Sequence, residues 1–193
     1  MLVIGNGESR KDIDISKCDD IKVGCNAIFR DFYVTHLICC DRRMVEEAQK
    51  ERNYGSIYTR ADWIDQFKLC GLVPILPYKG NTRLDDPWHW GSGPYAVLLG
   101  ASISTKWSGA PEVHMIGFDL DTGLYNNIYK GTDNYNDADS SPVDPSYWIY
   151  QIDKVFEYFP MVQFYYYNNK EWPTKQENVC NKMLVEFEID NES

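Results

Sequence analysis

Short apolar runs, each followed by a turn or helix signal, alternate with helix-forming segments, and this alternation constrains the fold most. The runs predict strands at Leu2–Ile4, Ile21–Cys25, His36–Cys40, Ser56–Thr59, Val73–Leu76, Glu112–Ile116 and Met161–Tyr167, the last of the sheet. Composition and helical spacing predict helices at Arg43–Arg52, Ala61–Leu69, Tyr95–Ile103 and Ser146–Phe159. The pattern favours an α/β fold, a Rossmann-like three-layer sandwich with a mostly parallel sheet and helices on both faces.

The length favours a single domain. A chain of 193 residues is near the usual size of one domain, and its apolar fraction of 44% suits one core. We therefore expect one α/β domain over residues 1–193. The polar stretch 172–193 is expected to be a peripheral tail.

The charge distribution bears on the class of partner. The net charge of −10 falls entirely in residues 111–193, and residues 1–110 are neutral overall. A protein that binds long nucleic acid concentrates positive charge, so this partner is not expected. A small phosphate ligand needs only a local positive spot, which the basic residues of the first half can supply: Arg10, Lys11, Arg30, Arg42 and Arg43.

The cysteines and the apolar runs bear on the compartment. None of the six cysteines forms a C-x-x-C pair, and no histidine lies at ligand spacing, so we expect free thiols and no zinc site. The first residues resemble no signal peptide, and no apolar run is long enough to span a bilayer. A cytoplasmic protein is expected. The sequence leaves open whether the protein forms a homo-oligomer.

Polar residues follow the predicted strands or precede a helix, where the ligand of an open α/β sheet binds. The members of this set are Asn6, Asn26, Asp41 with Arg42, Ser92 and Asp119. Because the carboxyl ends of parallel strands share one edge, we expect Asn6, Asn26, Ser92 and Asp119 to line one cleft there.

Three short motifs each allow two interpretations. The turn Gly5-Asn6-Gly7-Glu8-Ser9 is either a phosphate loop or a tight turn after the first strand. The segment Gly91-Ser92-Gly93-Pro94 is either an anion site at a helix start or a simple cap. The pair Asp119 and Asp121 has the D-x-D form that can hold a divalent ion, which we regard as the weaker interpretation.

Two further features are candidates for chemistry. His89 lies beside the second glycine motif and is the one histidine that suits proton transfer or anion binding. The polar segment Leu120–Val143 is longer than an ordinary connection, so we expect a lid that is mobile without ligand and closes over it. Gly123 and Gly131 are its candidate hinges.

Several motifs resemble those of the bacterial lipooligosaccharide sialyltransferases, glycosyltransferase family 42. These are Leu2–Ser9 (a strand and G-N-G), Cys25-Asn26, Gly91–Ala96 and Val113–Asp119 (a strand and a G-x-D turn), in the same order and with similar spacing over about residues 1–168. The chain is also similar to the archaeal hydroxymethylpterin pyrophosphokinases with their flagellar accessory relatives, and to uncharacterised marine phage proteins.

The resemblance implies a variant GT-A-like fold and a CMP-linked sugar donor without a metal cofactor. Asn6 and Asn26 would face the nucleotide, and Ser92 and Gly93 would lie near its ribose or phosphate. Tyrosines of the long segment would bind the phosphate, and the candidates are Tyr125, Tyr129 and Tyr135.

Two departures from the family concern its catalysis. The family's catalytic histidine lies before the last helix, where residues 136–148 contain none, and His89 stands where the family has arginine. Another base would be needed, and the candidates are His89, Asp119, Asp139 and Asp144. The alternatives are an Mg²⁺-dependent phosphoryl or pyrophosphoryl transferase, or a non-catalytic nucleotide-binding phage protein located in the host cytoplasm.

Overall fold

One parallel sheet of eight strands forms the centre of the computed structural model, which describes residues 1–77, 86–107, 109–120, 125–141 and 143–187. The strands are β1 (Leu2–Ile4), β2 (Lys22–Cys25), β3 (Val34–Ile38), β4 (Tyr54–Thr59), β5 (Gly71–Leu72), β6 (Glu112–Ile116), β7 (Gln163–Tyr167) and β8 (Val179–Lys182). The helices are α1 (Arg42–Glu51), α2 (Ala61–Ile64), α3 (Ser92–Trp107) and α4 (Ser146–Tyr158).

The strand order is β5-β4-β3-β2-β1-β6-β7-β8, and every pair of neighbours runs parallel. β1 lies in the middle, with Val3 paired to Val23 on one side and to Met115 on the other. Its three residues are apolar and fully buried because helices and turns cover both faces of the sheet.

Two apolar layers flank the sheet. α1 packs on one face through Met44, Val45 and Ala48. α3 and α4 pack on the other face, α4 through Ile152 and Val155. The predicted α/β class, with a parallel sheet between two helical layers, is confirmed.

α3 is longer than the predicted Tyr95–Ile103. Its last turns contain Ser102, Ser104 and Thr105, which weaken the helical signal of the sequence. In the structure each hydroxyl donates to a backbone carbonyl three or four residues earlier, at 2.8–3.0 Å. The helix therefore continues past the apolar stretch to Trp107.

The predicted strand Val73–Leu76 is wrong. The strand found there is Gly71–Leu72, and Pro74, which has no N–H, follows soon after it. Val73 still donates to the Thr59 carbonyl at 3.0 Å before the chain leaves the sheet. The apolar character of the run reflects burial of Val73 and Leu76 in the core rather than strand pairing.

The region after Trp172 contributes more than the expected tail. β8 adds an edge strand beyond β7, so Met161–Tyr167 does not contain the last strand. Trp172 packs against Phe156 and Tyr166, and Phe187 packs against Tyr167. Among the described residues, no helix has both the length and the apolar character needed to cross a membrane.

Candidate functional site

The sheet has a topological switch point between β1 and β6. After β1 the chain moves to β2 on one side, and after β6 it moves to β7 on the other. The loops that follow these two strands therefore separate and leave a crevice at the carboxyl edge. This is where open α/β sheets bind their ligands.

Hydrogen bonds join the two loops at the base of this crevice. Gly5 donates to the Ile116 carbonyl and Gly7 to the Gly117 carbonyl, both at 2.8 Å. A side chain at Gly5 would place its Cβ 2.2 Å from the Gly117 carbonyl oxygen, so this close approach requires glycine. The geometry holds the ends of β1 and β6 in one rigid unit.

Asp119 is buried and fixes the loop Gly5–Ser9 that follows β1, which we call the first loop. Its carboxylate accepts from the Ser9 backbone N–H at 2.9 Å, from the Ser9 hydroxyl, and from Asn168 Nδ2 at 3.2 Å. These contacts give the carboxylate a structural role at the cleft. A catalytic role for Asp119 remains a prediction.

Four of the five backbone N–H groups of Gly5–Ser9 donate to other groups of the protein. Besides the bonds of Gly5 and Gly7, Glu8 N–H donates to Asn126 Oδ1 at 2.8 Å and Ser9 N–H donates to Asp119. A phosphate loop needs such donors to point at the ligand. The structure favours the second interpretation of this motif, a tight turn after the first strand.

A buried polar network lies behind this turn. Asn6 donates to the Cys25 carbonyl at 3.0 Å and to the Tyr135 hydroxyl at 3.3 Å. Arg10, almost fully buried, donates to the Gly5 carbonyl at 2.6 Å, to Asn6 Oδ1 at 3.2 Å and to the Tyr129 hydroxyl at 3.4 Å. The network fixes the orientation of the Asn6 amide.

A cleft of about 260 Å³ opens above the switch point. It is lined by polar groups and by aromatic rings. The lining residues are Gly5, Asn6, Gly7, Cys25, Asn26, Gly91, Gly93, Pro94, Gly117, Phe118, Asp119, Tyr125, Asn126, Asn127, Val143, Tyr147 and Trp148. Three of the four strand-end residues expected to share a cleft, Asn6, Asn26 and Asp119, are among them.

Asn26 is the lining amide best placed to meet a ligand. It follows β2 in the left-handed backbone conformation, with φ of 52°, which asparagine tolerates better than most residues. Within the described part of the chain its side chain makes no hydrogen bond, in contrast to Asn6. It therefore offers both a donor and an acceptor.

The start of α3 also borders the cleft, through Gly93 and Pro94. The Ser92 hydroxyl does not line it, because it accepts from the Cys40 backbone N–H at 3.0 Å and ties α3 to the end of β3. His89 lies in the 3-10 turn Pro87–His89 just before, outside the lining, and its carbonyl accepts from the Tyr147 hydroxyl at 3.3 Å.

Asp41 and Arg42 lie at the same edge of the sheet but outside the cleft. Asp41 caps α1 by accepting from the Arg43 backbone N–H at 2.8 Å. Arg42 pairs with Glu46 at 2.9 Å, and both are exposed to some degree. Ligand contacts by these two residues remain predictions.

The three candidate tyrosines have different environments. Tyr125 lines the cleft. Tyr129 is buried and donates to Asp31 at 2.7 Å, whereas the Tyr135 hydroxyl accepts from Asn6 and, at 3.4 Å, from the Ala27 backbone N–H. Only Tyr125 is placed to meet a ligand in this arrangement.

The described part of the long segment, 125–141, is anchored rather than loose. Ile128 N–H donates to the Asn6 carbonyl at 2.9 Å, and the Ile128 side chain packs on the core. Lys130 pairs with Glu8 at 2.6 Å. A mobile lid would have to break these contacts, and ligand-dependent closure stays a prediction. Asp121 and Gly123 lie outside the described residues.

Asp144 is predicted to cap α4, but the N-cap residue of this helix is Pro145, and Asp144 lies one residue before it. Asp144 accepts from the Ser146 backbone N–H at 2.9 Å and is exposed, as is Asp139. Its neighbour Val143 borders the cleft, whereas Asp144 does not line it. This hydrogen bond occupies one carboxylate oxygen of Asp144. The role of Asp144 as a base stays a prediction.

One acidic side chain and two helix N-termini border the cleft. Among the described lining residues Asp119 is the one acidic side chain, and none is basic. The N-termini of α3 and α4 both border the cleft, and such termini carry partial positive charge. Burial raises the pKa of the Cys25 thiol to about 12, so this cysteine is not a thiolate nucleophile.

Groups of three or more metal-binding side chains do not occur in the described parts of the chain. No protein-family model, curated protein or solved structure matches the sequence. The functional argument therefore depends on the geometry of the cleft and on the short motifs that border it.

Proposed function

We propose that this chain binds a nucleotide in the switch-point cleft, and that the bound form is a CMP-linked sugar. The observation that carries the proposal is the position of the cleft, at the carboxyl ends of β1 and β6 with two helix N-termini beside it. The identity of the nucleotide comes from the motif resemblance.

The lining suits the parts of a nucleotide. The rings of Tyr125, Tyr147 and Trp148 offer stacking surfaces for a base, and the Asn26 amide can pair with a base edge. The helix N-termini favour a phosphate. The volume of about 260 Å³ lies just below the usual range of ligand pockets, which suits the nucleoside part of a CMP-linked sugar and leaves the sugar to extend out of the cleft.

Binding without transfer is a second candidate, and one observation favours it. Among the described lining residues, the only carboxylate or imidazole is that of Asp119, which already accepts three hydrogen bonds. A general base must reach the acceptor hydroxyl. His89 and Asp144 lie next to the lining, so transfer would require one of them to turn towards the sugar.

Calorimetry and thermal unfolding with CMP, UDP, ADP and GDP, each with Mg²⁺ or with EDTA, test the proposal. At a hundredfold excess over Kd a ligand adds about 2.7 kcal/mol, equivalent to a rise in Tm of about 5–10 °C. We expect CMP to give the largest rise, unchanged by EDTA. A rise that needs Mg²⁺ would favour the phosphoryl transferase instead.

Two tryptophan variants provide the matched comparison. Trp148→Ala removes a ring from the cleft, whereas Trp107→Ala removes an exposed ring at the far end of α3. We expect the first to abolish the CMP-dependent rise and the second to keep it. Equal responses of the two variants, or no response of the wild type to any nucleotide, would refute the proposal.

A further inference from the structure

A second concavity, of about 720 Å³, lies between α1 and the outer edge of β4. We call it the edge groove. Gln49, Lys50 and Arg52 form its helical side, and Gly55 and Ser56 form its strand side. It shares no lining residue with the switch-point cleft.

The strand side of the edge groove exposes unpaired backbone. β5 pairs only with Tyr58 and Thr59, so the outer side of residues 54–56 has no strand partner in the described chain. The Tyr58 carbonyl accepts from Cys39 N–H on the inner side, and the Thr59 carbonyl accepts from Val73 N–H on the outer side. This alternation directs the N–H and C=O groups of Gly55 and Ile57 outward, and the parallel pairing of Tyr58 with Gly71 places the Gly71 N–H on the Ile57 carbonyl. The N–H and C=O of Gly55 and the N–H of Ile57 remain for an added strand.

These outward groups are accessible to an added strand. Gly55 and Ser56 are exposed and small, and residues 54–57 contain no proline or charged side chain of the kind that protects an edge. Leu69 also lines the edge groove, with 83% of its surface exposed. It provides an apolar contact for a side chain of the incoming segment.

The charges beside the edge groove select the occupant. Lys50 and Arg52 are exposed, and neither has an ion-pair partner among the described residues. Glu46, the one carboxylate of the lining, is bound by Arg42 at 2.9 Å. The edge groove is therefore basic on a chain of net charge −10. A second copy paired edge to edge would bring Lys50 and Arg52 against their equivalents, which disfavours self-association.

We propose that the edge groove binds an extended acidic peptide segment of a partner protein, which adds a strand beside β4. Main-chain hydrogen bonds to the N–H and C=O of Gly55 and to the N–H of Ile57 supply pairing, and the basic side chains select for acidic residues. This inference does not depend on what the switch-point cleft binds.

Fluorescence anisotropy with the full chain tests the proposal. The probe is a labelled eight-residue peptide that alternates Glu and Val, with blocked ends. We expect it to bind, with an affinity that falls as salt rises, and we expect a Lys/Val peptide not to bind. Failure of the Glu/Val peptide to bind, or equal binding of the two peptides, overturns the proposal.

Two controls separate strand addition from charge attraction. Lys50→Glu with Arg52→Glu should weaken binding at least tenfold, whereas Lys106→Glu with Lys175→Glu, the same charge change at exposed sites outside the edge groove, should change it less than twofold. A Glu/Val peptide N-methylated at alternate residues should lose binding, because it cannot pair with the edge. Retained binding of that peptide, or a β4-mediated dimer that the peptide disrupts, contradicts the proposal.

Discussion

Substitution of Gly7 by alanine tests the packing at the switch point most directly. Gly7 has φ of −66° and ψ of 150°, which alanine adopts readily. If backbone freedom alone mattered, Gly7→Ala would stabilise the protein by about 0.4–1 kcal/mol through the unfolded state. The sign of the effect therefore distinguishes a conformational role from a steric one.

The structure predicts the opposite sign. A Cβ at Gly7 would lie 2.4 Å from Asp119 Cγ and 2.7 Å from both carboxylate oxygens. Relief needs a shift of nearly 1 Å, which breaks the bonds of Asp119 to Ser9 or the bond of Gly7 N–H to Gly117. Loss of two hydrogen bonds to a charged group, at about 1.5 kcal/mol each, gives a destabilisation of about 3 kcal/mol.

Urea unfolding followed by circular dichroism measures this change, and a fall in Tm of about 6–12 °C should accompany it. Gly93→Ala is the matched control, because its Cβ would meet only Phe118, at an ordinary 3.4 Å. We expect that variant to be neutral or slightly more stable. A Gly7→Ala protein within 0.5 kcal/mol of the wild type would refute the steric argument.

Three further predictions concern buried and titrating groups. Arg10→Met leaves buried carbonyl acceptors without donors and should lower the free energy of unfolding in urea by about 3–5 kcal/mol. The control Arg42→Met, at an exposed site, should change it by less than about 0.5 kcal/mol, and equal effects of the two variants would contradict the network. Arg30 lowers the pKa of Glu47 from its ordinary 4.5, chiefly by a hydrogen bond, so this stabilisation is present above pH 4.5 and is lost as the pH falls through the lowered value. The stability advantage of the wild type over Glu47→Gln should therefore shrink as the pH falls below 4.5, and a constant advantage would contradict it. Cys180 should react first with a thiol reagent in native protein and all six cysteines in denaturant, since the other five are buried; fewer than six would indicate a disulfide.

Much of the sheet could be predicted because its strands are local apolar runs with clear ends. The strands Leu2–Ile4 and Glu112–Ile116 match the prediction residue for residue, because a glycine follows each of them directly and marks its end. β8 was missed because Val179–Lys182 contains Asn181 and Lys182, which suit an edge strand but carry no apolar pattern. Only the long-range pairing to β7 makes this segment a strand.

The sequence predicted where the cleft lies, but it did not predict the hydrogen bonds that its residues make. Parallel topology alone brings Asn6, Asn26 and Asp119 to one edge, so the order of elements was sufficient for that. The role of Arg10 was not foreseen beyond its local charge, because its acceptor on Tyr129 lies 119 residues away. The hydrogen bond from the Tyr129 hydroxyl to Asp31 was not foreseen either, because these residues are 98 positions apart in the sequence.

These internal hydrogen bonds decide which groups of the cleft are left to recognise a ligand. The glycine turn after β1 looks like an anion cradle in sequence, yet the Glu8 and Ser9 donors are satisfied by side chains of the region after β6, more than 100 residues later. A ligand at the switch point must instead use groups that the fold leaves over, above all the Asn26 amide and the backbone at the start of α3. Because the turn serves to join β1 to β6, variants there should act mainly on stability, whereas variants at Asn26 should act mainly on binding.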